Sequence, residues 1–155
     1  MISDTLLQGV YLFGDLSADE RGQLARIAES MSLHAGIPVF RKGEPATALY
    51  LISGGSVRVT TVSSGGEAIT VATLGTGSHF GEMALADGAP RSATVETLEP
   101  TTMFRFDYDK MRSVLDRSPT MAAKVYRSLA RFLSGRLRQT TTDMSYAREM
   151  NLRHF

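Results

Sequence analysis

The sequence has no cysteine. That excludes disulfide staples and any thiolate-held metal. No apolar run approaches the roughly 20 residues that a membrane span needs, and no signal-peptide pattern opens the chain. A cytoplasmic location fits both absences. Nucleophile–base pairings, paired acids in a catalytic context and a Walker-type glycine loop are also missing. Enzyme activity is therefore not expected, and no cofactor or metal is implied.

What is present suits one globular domain. The 155 residues are 43% apolar and 21% charged, enough to bury a real core. A formal net charge of +1 conceals an asymmetry. From Met121 onward, Lys124, Arg127, Arg131, Arg136, Arg138, Arg148 and Arg153 face only Asp143 and Glu149, a balance of +5 that leaves −4 for residues 1–120. A basic tail on an acidic body suits nucleic acid or an acidic partner. The plainer reading is a solvated helix face.

The chain is organised around residues 80–95, Phe-Gly-Glu-Met-Ala-Leu-Ala-Asp-Gly-Ala-Pro-Arg-Ser-Ala-Thr-Val. Gly81 permits a backbone conformation or close approach that a side chain forbids. Met83 to Ala86 favour a short helix, whose first N–H groups are unpaired. Asp87-Gly88-Ala89-Pro90 stops it, and Ser92 to Glu96 reads as a strand. A helix start and Arg91 suit a phosphate. Glu82 repels one, so it suits a hydroxylated part of the same ligand. A structural Glu82–Arg91 ion pair is the plainer alternative.

This stretch closely resembles the phosphate-binding cassette of cyclic nucleotide-binding domains, a family that includes the catabolite activator protein and protein kinase A regulatory subunits. The match runs through Phe80, Gly81, Glu82, Ala84, Leu85, Pro90, Arg91, Ala93, Thr94 and Val95. The resemblance implies that Glu82 accepts from a ribose 2′-hydroxyl and that Arg91 pairs with a cyclic phosphate. Backbone donors around Gly81, Met83 and Ala84 are implied as well. Ser92, beside the arginine, has a hydroxyl but matches neither the threonine of cGMP-selective relatives nor the alanine of cAMP-selective ones. It points to cAMP.

Along the chain, Ser17 and Glu20 form a capping box, and helical spacing continues through Leu24, Ile27, Ala28 and Met31. From there short β-rich runs take over: Leu33 to Phe40, Leu49 to Ile52, Val57 to Val62, Ile69 to Leu74 and Met103 to Phe106. Glycine-bearing turns separate them, which argues a sandwich or barrel. The resemblance covers roughly residues 8–135 and implies a mainly β fold, an eight-stranded jelly roll or β-barrel with flanking helices. The expected organisation is one domain: N-terminal helices over 1–31, a β-roll over 32–107 with the cassette at 80–93, and C-terminal hinge and lid helices over 108–155.

Pro119 is placed to open the long helix. Thr140-Thr141-Thr142 is expected to weaken it, since β-branched residues lose rotamer freedom there; Met144, Ala147 and Met150 resume its pattern. Ala122, Tyr126, Leu129, Leu133 and Leu137 approach a heptad seam, so this helix is a candidate homodimer contact. Phe132 is the candidate lid residue over the base, with Arg131 and Tyr126 as substitutes. Leu74 and Ala72 share a strand face and are candidates for the base pocket or the core. His79 is expected near the surface.

The expected function is a sensor of cAMP or cGMP, the ligand being the cyclic nucleotide itself, that signals through its C-terminal helices to a protein effector. A shortened Crp/Fnr-type regulator is the first alternative. Only 18 residues follow Leu137, too few for a helix-turn-helix module of about 60–70, so DNA binding is not expected. The second alternative is a cupin-type metalloenzyme. It lacks its usual His-X-His start, the only histidines being His34, His79 and His154.

Overall fold

The computed structural model describes residues 1–153, with side chains through residue 150 apart from that of Ala147. The last two residues of the expected C-terminal unit, including His154, lie outside the described residues.

Local chemistry sets the N-terminal layer. Ser3 caps α1 (Asp4–Gln8), a 3₁₀ turn follows at Tyr11–Phe13, and the Ser17–Glu20 capping box starts α2 (Ala18–Ala25). Here the chain departs from the helical reading. The helix ends at Ala25, and Ala28–Leu33 forms strand β1, so the roll starts at Ala28 rather than at residue 32. The cause is non-local. All six residues pair with β8 (Thr101–Asp107), from Ala28↔Phe106 to Leu33↔Thr101. Tertiary pairing overrides the weak helical spacing.

Among the described residues, eight strands form two antiparallel four-stranded sheets. One has the order β1-β8-β3-β6, with β3 at Ala48–Gly54 and β6 at His79–Phe80. The other has the order β2-β7-β4-β5, with β2 at Pro38–Phe40, β4 at Ser56–Val62, β5 at Ala68–Gly75 and β7 at Thr94–Thr97. This is the jelly-roll arrangement, but the sheets stay separate and do not close into a barrel. The expected run from Leu33 to Phe40 is split between β1 and β2.

Strand β3 explains why the core has two parts. Ala48, Tyr50 and Ile52 join Phe40, Val57, Phe80, Val95 and Met103 between the sheets. Leu49 and Leu51 point the other way, against Phe13, Leu24, Phe106, Met111, Met121, Val125 and Leu129 of the helical layer. A strand buried on both faces reads as an unbroken apolar run. At the β3–β4 turn Gly55 has φ +101°, and a Cβ there meets Thr101 Oγ1 at 2.5 Å, so the turn requires glycine.

Asp107 caps α4 (Tyr108–Asp116), and Ser118 and Pro119 open α5 (Pro119–Arg153). The threonine run does not interrupt α5. The hydroxyls of Thr140, Thr141 and Thr142 donate to the carbonyls of Arg136, Leu137 and Arg138, at 2.9–3.0 Å. Each threonine thus satisfies its hydroxyl within the helix and leaves the helix unbroken.

Candidate functional site

Strand β6 delivers the turn that carries the site. Tyr50↔Phe80 and Leu51↔His79 pair midway along β3, and the chain then turns at Gly81, with φ +81°. Helix α3 (Met83–Asp87) follows and ends on Gly88 in the left-handed region. Arg91 is then pinned through its backbone to the β2–β3 loop. Its N–H donates to Glu44 O at 2.9 Å, and its carbonyl accepts from Gly43 N at 2.8 Å.

These anchors turn the Arg91 side chain inward, where it is only 6% exposed. Nη1 donates to Gly81 O at 3.1 Å and Nη2 to Ala48 O at 2.6 Å. The guanidinium lies 3.9 Å from the centroid of the Phe40 ring, and its Nε is buried without a partner. The Tyr108 hydroxyl also donates to Gly81 O. Burial pushes the Tyr108 phenol above its ordinary pKa, so it remains a donor. A Cβ on Gly81 falls 2.8 Å from Arg91 Nη1 and 3.2 Å from Ala48 O. Glycine is thus required both by φ and by the arginine's approach.

Glu82 does not pair with Arg91 among the described residues. Its carboxylate is 2% exposed and meets α5 instead, accepting from Arg136 Nη1 at 3.1 Å. On its other side His79 Nδ1 stands 3.7 Å from Oε2, beyond hydrogen-bond reach. Burial alone raises the Glu82 pKa, but His79 and Arg136 outweigh it and hold the group below the usual carboxylate range. Glu82 is therefore an ionised acceptor in a largely buried place.

A cleft of about 400 Å³ joins these groups. The stretches Phe80–Ala84 and Arg91–Ala93 line it, as does Leu74. Two expected residues lie elsewhere. Ala72 is not on the cleft wall, because a register shift between Val59↔Ala72 and Thr60↔Thr70 leaves Val71 as an extra residue in β5. This bulge breaks the period-2 alternation and brings Val71 to the cleft with Leu74. Phe132 packs on His79 and Tyr11, with ring centroids 4.6 and 5.7 Å away, and does not reach the cleft. Its substitutes miss it too. Arg131 is 3.7 Å from Asp15, and Tyr126 lies exposed away from the wall. One turn beyond Phe132, Arg136 takes the position over the cleft. A cation at that phase of the inward stripe was the available signal. Val59 and Thr61 of β4 also line the cleft, and nothing in the sequence marked them.

His79 is buried rather than superficial, at 8% exposure. Among the described residues no group of three or more potential metal ligands comes together. Among them no helix is long and apolar enough to cross a membrane. The basic tail is partly neutralised within the chain, Lys124 meeting Glu20 at 2.7 Å and Arg136 meeting Glu82. The proposed seam also divides. Leu129 belongs to the chain's own core and Ala122 and Leu133 pack against it, while Tyr126 and Leu137 are exposed.

Comparison with known proteins places these features. The family model described as cyclic nucleotide-binding domain matches residues 30–118. The chain is 33% identical over 141 residues to the cyclic AMP receptor protein of Thermus thermophilus, covering 89% of this chain and 62% of that protein. It is 40% identical over 92 residues to the cAMP-dependent protein kinase regulatory subunit of Yarrowia lipolytica, covering 59% of this chain and 24% of that one. The chain therefore spans less than two thirds of these curated relatives. Among solved structures, Thermus thermophilus catabolite activator protein is similar with a TM-score of 0.77 and 31% identity, over 87% of this chain and 62% of that one. The N-terminal domain of a transcriptional regulator from Streptomyces coelicolor gives a TM-score of 0.75 at 27% identity, over 90% and 94% of the two chains.

Proposed function

The chain belongs to the cyclic nucleotide-binding domain family, and from that membership we propose that it is a regulatory domain that binds cAMP or cGMP and signals through α5. One observation carries this reading: a single cleft presents a buried arginine with a spare donor and, beside it, a buried ionised glutamate under a helix. Arg91 takes the cyclic phosphate. A guanidinium supplies the charge and the forked donors that a phosphate accepts. Glu82 accepts from the ribose 2′-hydroxyl. The backbone donors around Gly81, Met83 and Ala84 complete the phosphate cradle, and Ala93 and Ser92 close its rim. The base lies toward Val59, Val71 and Leu74 of the β4–β5 side.

Arg136 makes α5 part of the mechanism. Its contact with Glu82 is the polar tie between the long helix and the cassette. A ligand that engages Glu82 changes that tie, so it has different affinities for the two positions of α5. Such a difference is what lets a ligand shift a two-state equilibrium. The output passes to a protein effector in the cytoplasm, and two copies pair through the exposed positions of α5. No catalytic step is assigned to the chain.

Isothermal titration with cAMP and cGMP tests the reading. Binding of either, with cAMP tighter on account of Ser92, is the expected result. A preference for cGMP above about tenfold, or roughly 1.4 kcal/mol, reverses the selectivity. Failure of both to bind refutes the function.

A further inference from the structure

One buried group beside Glu82, outside the cleft lining itself, has no part in that scheme. His79 lies on β6, opposite the uncharged Leu51 of β3. Its side chain is 5% exposed, and its ring packs on Phe132 of α5. Nδ1 is buried without a hydrogen-bond partner and stands 3.7 Å from Glu82 Oε2. The carboxylate's other oxygen accepts from Arg136 at 3.1 Å. Glu82 is thus held between the Arg136 guanidinium and the His79 imidazole. Arg91 and Tyr108 meet the same turn at the Gly81 carbonyl.

We propose that His79 is a positioning residue for Glu82, and that its imidazole takes up a proton when a cyclic nucleotide binds, so that affinity rises as pH falls. The inference rests on the nucleotide reading above and adds its regulation.

A cyclic phosphodiester brings one negative charge into the cleft at any pH near neutrality. Added negative charge favours the protonated form of every base nearby. The arginines are already protonated and have nothing to take up. Glu82 is already ionised, its carboxyl held below the usual carboxylate range. Imidazole is the side chain that changes charge between about pH 5 and 8, which leaves His79 to respond. The proton comes from solvent, and no covalent bond is made or broken. Once charged, Nδ1–H is a strong donor, and closing the 3.7 Å gap fixes Glu82 Oε2. The carboxylate then keeps a countercharge even if Arg136 leaves it for the ligand. The sign follows from linkage. The ligated state binds more protons than the free state, so binding strengthens as pH falls through the imidazole range.

The test is calorimetric titration of the full chain with cAMP, and with cGMP as a second probe, between about pH 6 and 8. Buffers of different ionisation heat count the protons taken up. Wild type should gain about three- to tenfold in affinity toward the acid end, since uptake of one full proton changes affinity by about tenfold per pH unit and this uptake is partial. His79→Gln and His79→Phe should bind with a flat profile and no linked uptake. Two variants of different shape separate loss of titration from loss of packing. Nucleotide binding by wild type with no pH dependence, or with a slope that both variants share, overturns this inference and leaves the nucleotide reading standing. Absence of binding by either nucleotide at every pH overturns both.

Discussion

Replacing Arg91 by alanine has two separable consequences, and their sizes follow from its contacts. In the free protein the guanidinium satisfies Gly81 O and Ala48 O and stacks on Phe40. Its removal deprives the Ala48 carbonyl of a donor, at about 1–3 kcal/mol, while Gly81 O keeps the Tyr108 hydroxyl. It also removes a desolvated cation–π contact worth about 2 kcal/mol. Relief from burying a charge offsets part of this. The net loss should be about 2–4 kcal/mol, within the stability of an ordinary domain of about 5–15 kcal/mol. Urea denaturation should therefore show a lower midpoint with an intact cooperative transition. Loss of the phosphate partner should cost a further ~2–5 kcal/mol in binding, by analogy with truncated buried charge pairs. We expect a loss of at least about 100-fold in affinity, measured by calorimetry on protein shown to be folded. Arg91→Lys restores the charge but not the fork, and should remain weak. An unchanged urea midpoint refutes the inward-held arginine. An unchanged affinity in folded Arg91→Ala refutes the phosphate assignment.

The remaining predictions concern the glycine, the tie to α5 and the seam. Gly81→Ala should lower both stability and nucleotide affinity by at least about 1 kcal/mol, through strain at φ +81° and displacement of Arg91 Nη1; thermal melts and titration agreeing with wild type refute this. Arg136→Ala should speed amide hydrogen exchange in the part of α5 that follows residue 125 in the free protein, because it removes the tie to Glu82. Since Arg136 is half exposed, its effect on global stability should stay near or below about 1 kcal/mol. Nucleotide should slow exchange in residues 80–93 and 125–140 of wild type, and protection confined to the first region means binding without a switch. Leu137→Glu with Met144→Glu should give a monomer by light scattering without loss of folding, because both residues are exposed, at 68% and 64%. Leu129→Glu is unsuitable as that probe, since Leu129 is 2% exposed in the core.

The sequence by itself determined what depends on local chemistry and on a contiguous pattern. The capping box at Ser17, the glycine turns, the unbroken apolar run of β3 and the residues 80–95 are all short in range. Each is legible because the residues that act together lie together. Most of the cleft wall follows, since Phe80–Ala84 and Arg91–Ala93 fall within that one stretch.

Tertiary structure decided the rest, where distant segments set each other's geometry. Pairing with β8 turned Ala28–Leu33 from the expected helix into a strand. A bulge in β5 exchanged Ala72 for Val71, because one extra residue inverts which side chains face inward. The phase of α5 over the sheet exchanged Phe132 for Arg136, a difference of one helical turn that spacing alone does not fix. Burial of His79 also came only from the fold, since pairing of β6 with β3 carries it against Phe132 of α5. The chemistry of the cleft was written in one stretch of chain, but what covers and tunes it was settled by packing between parts far apart in sequence.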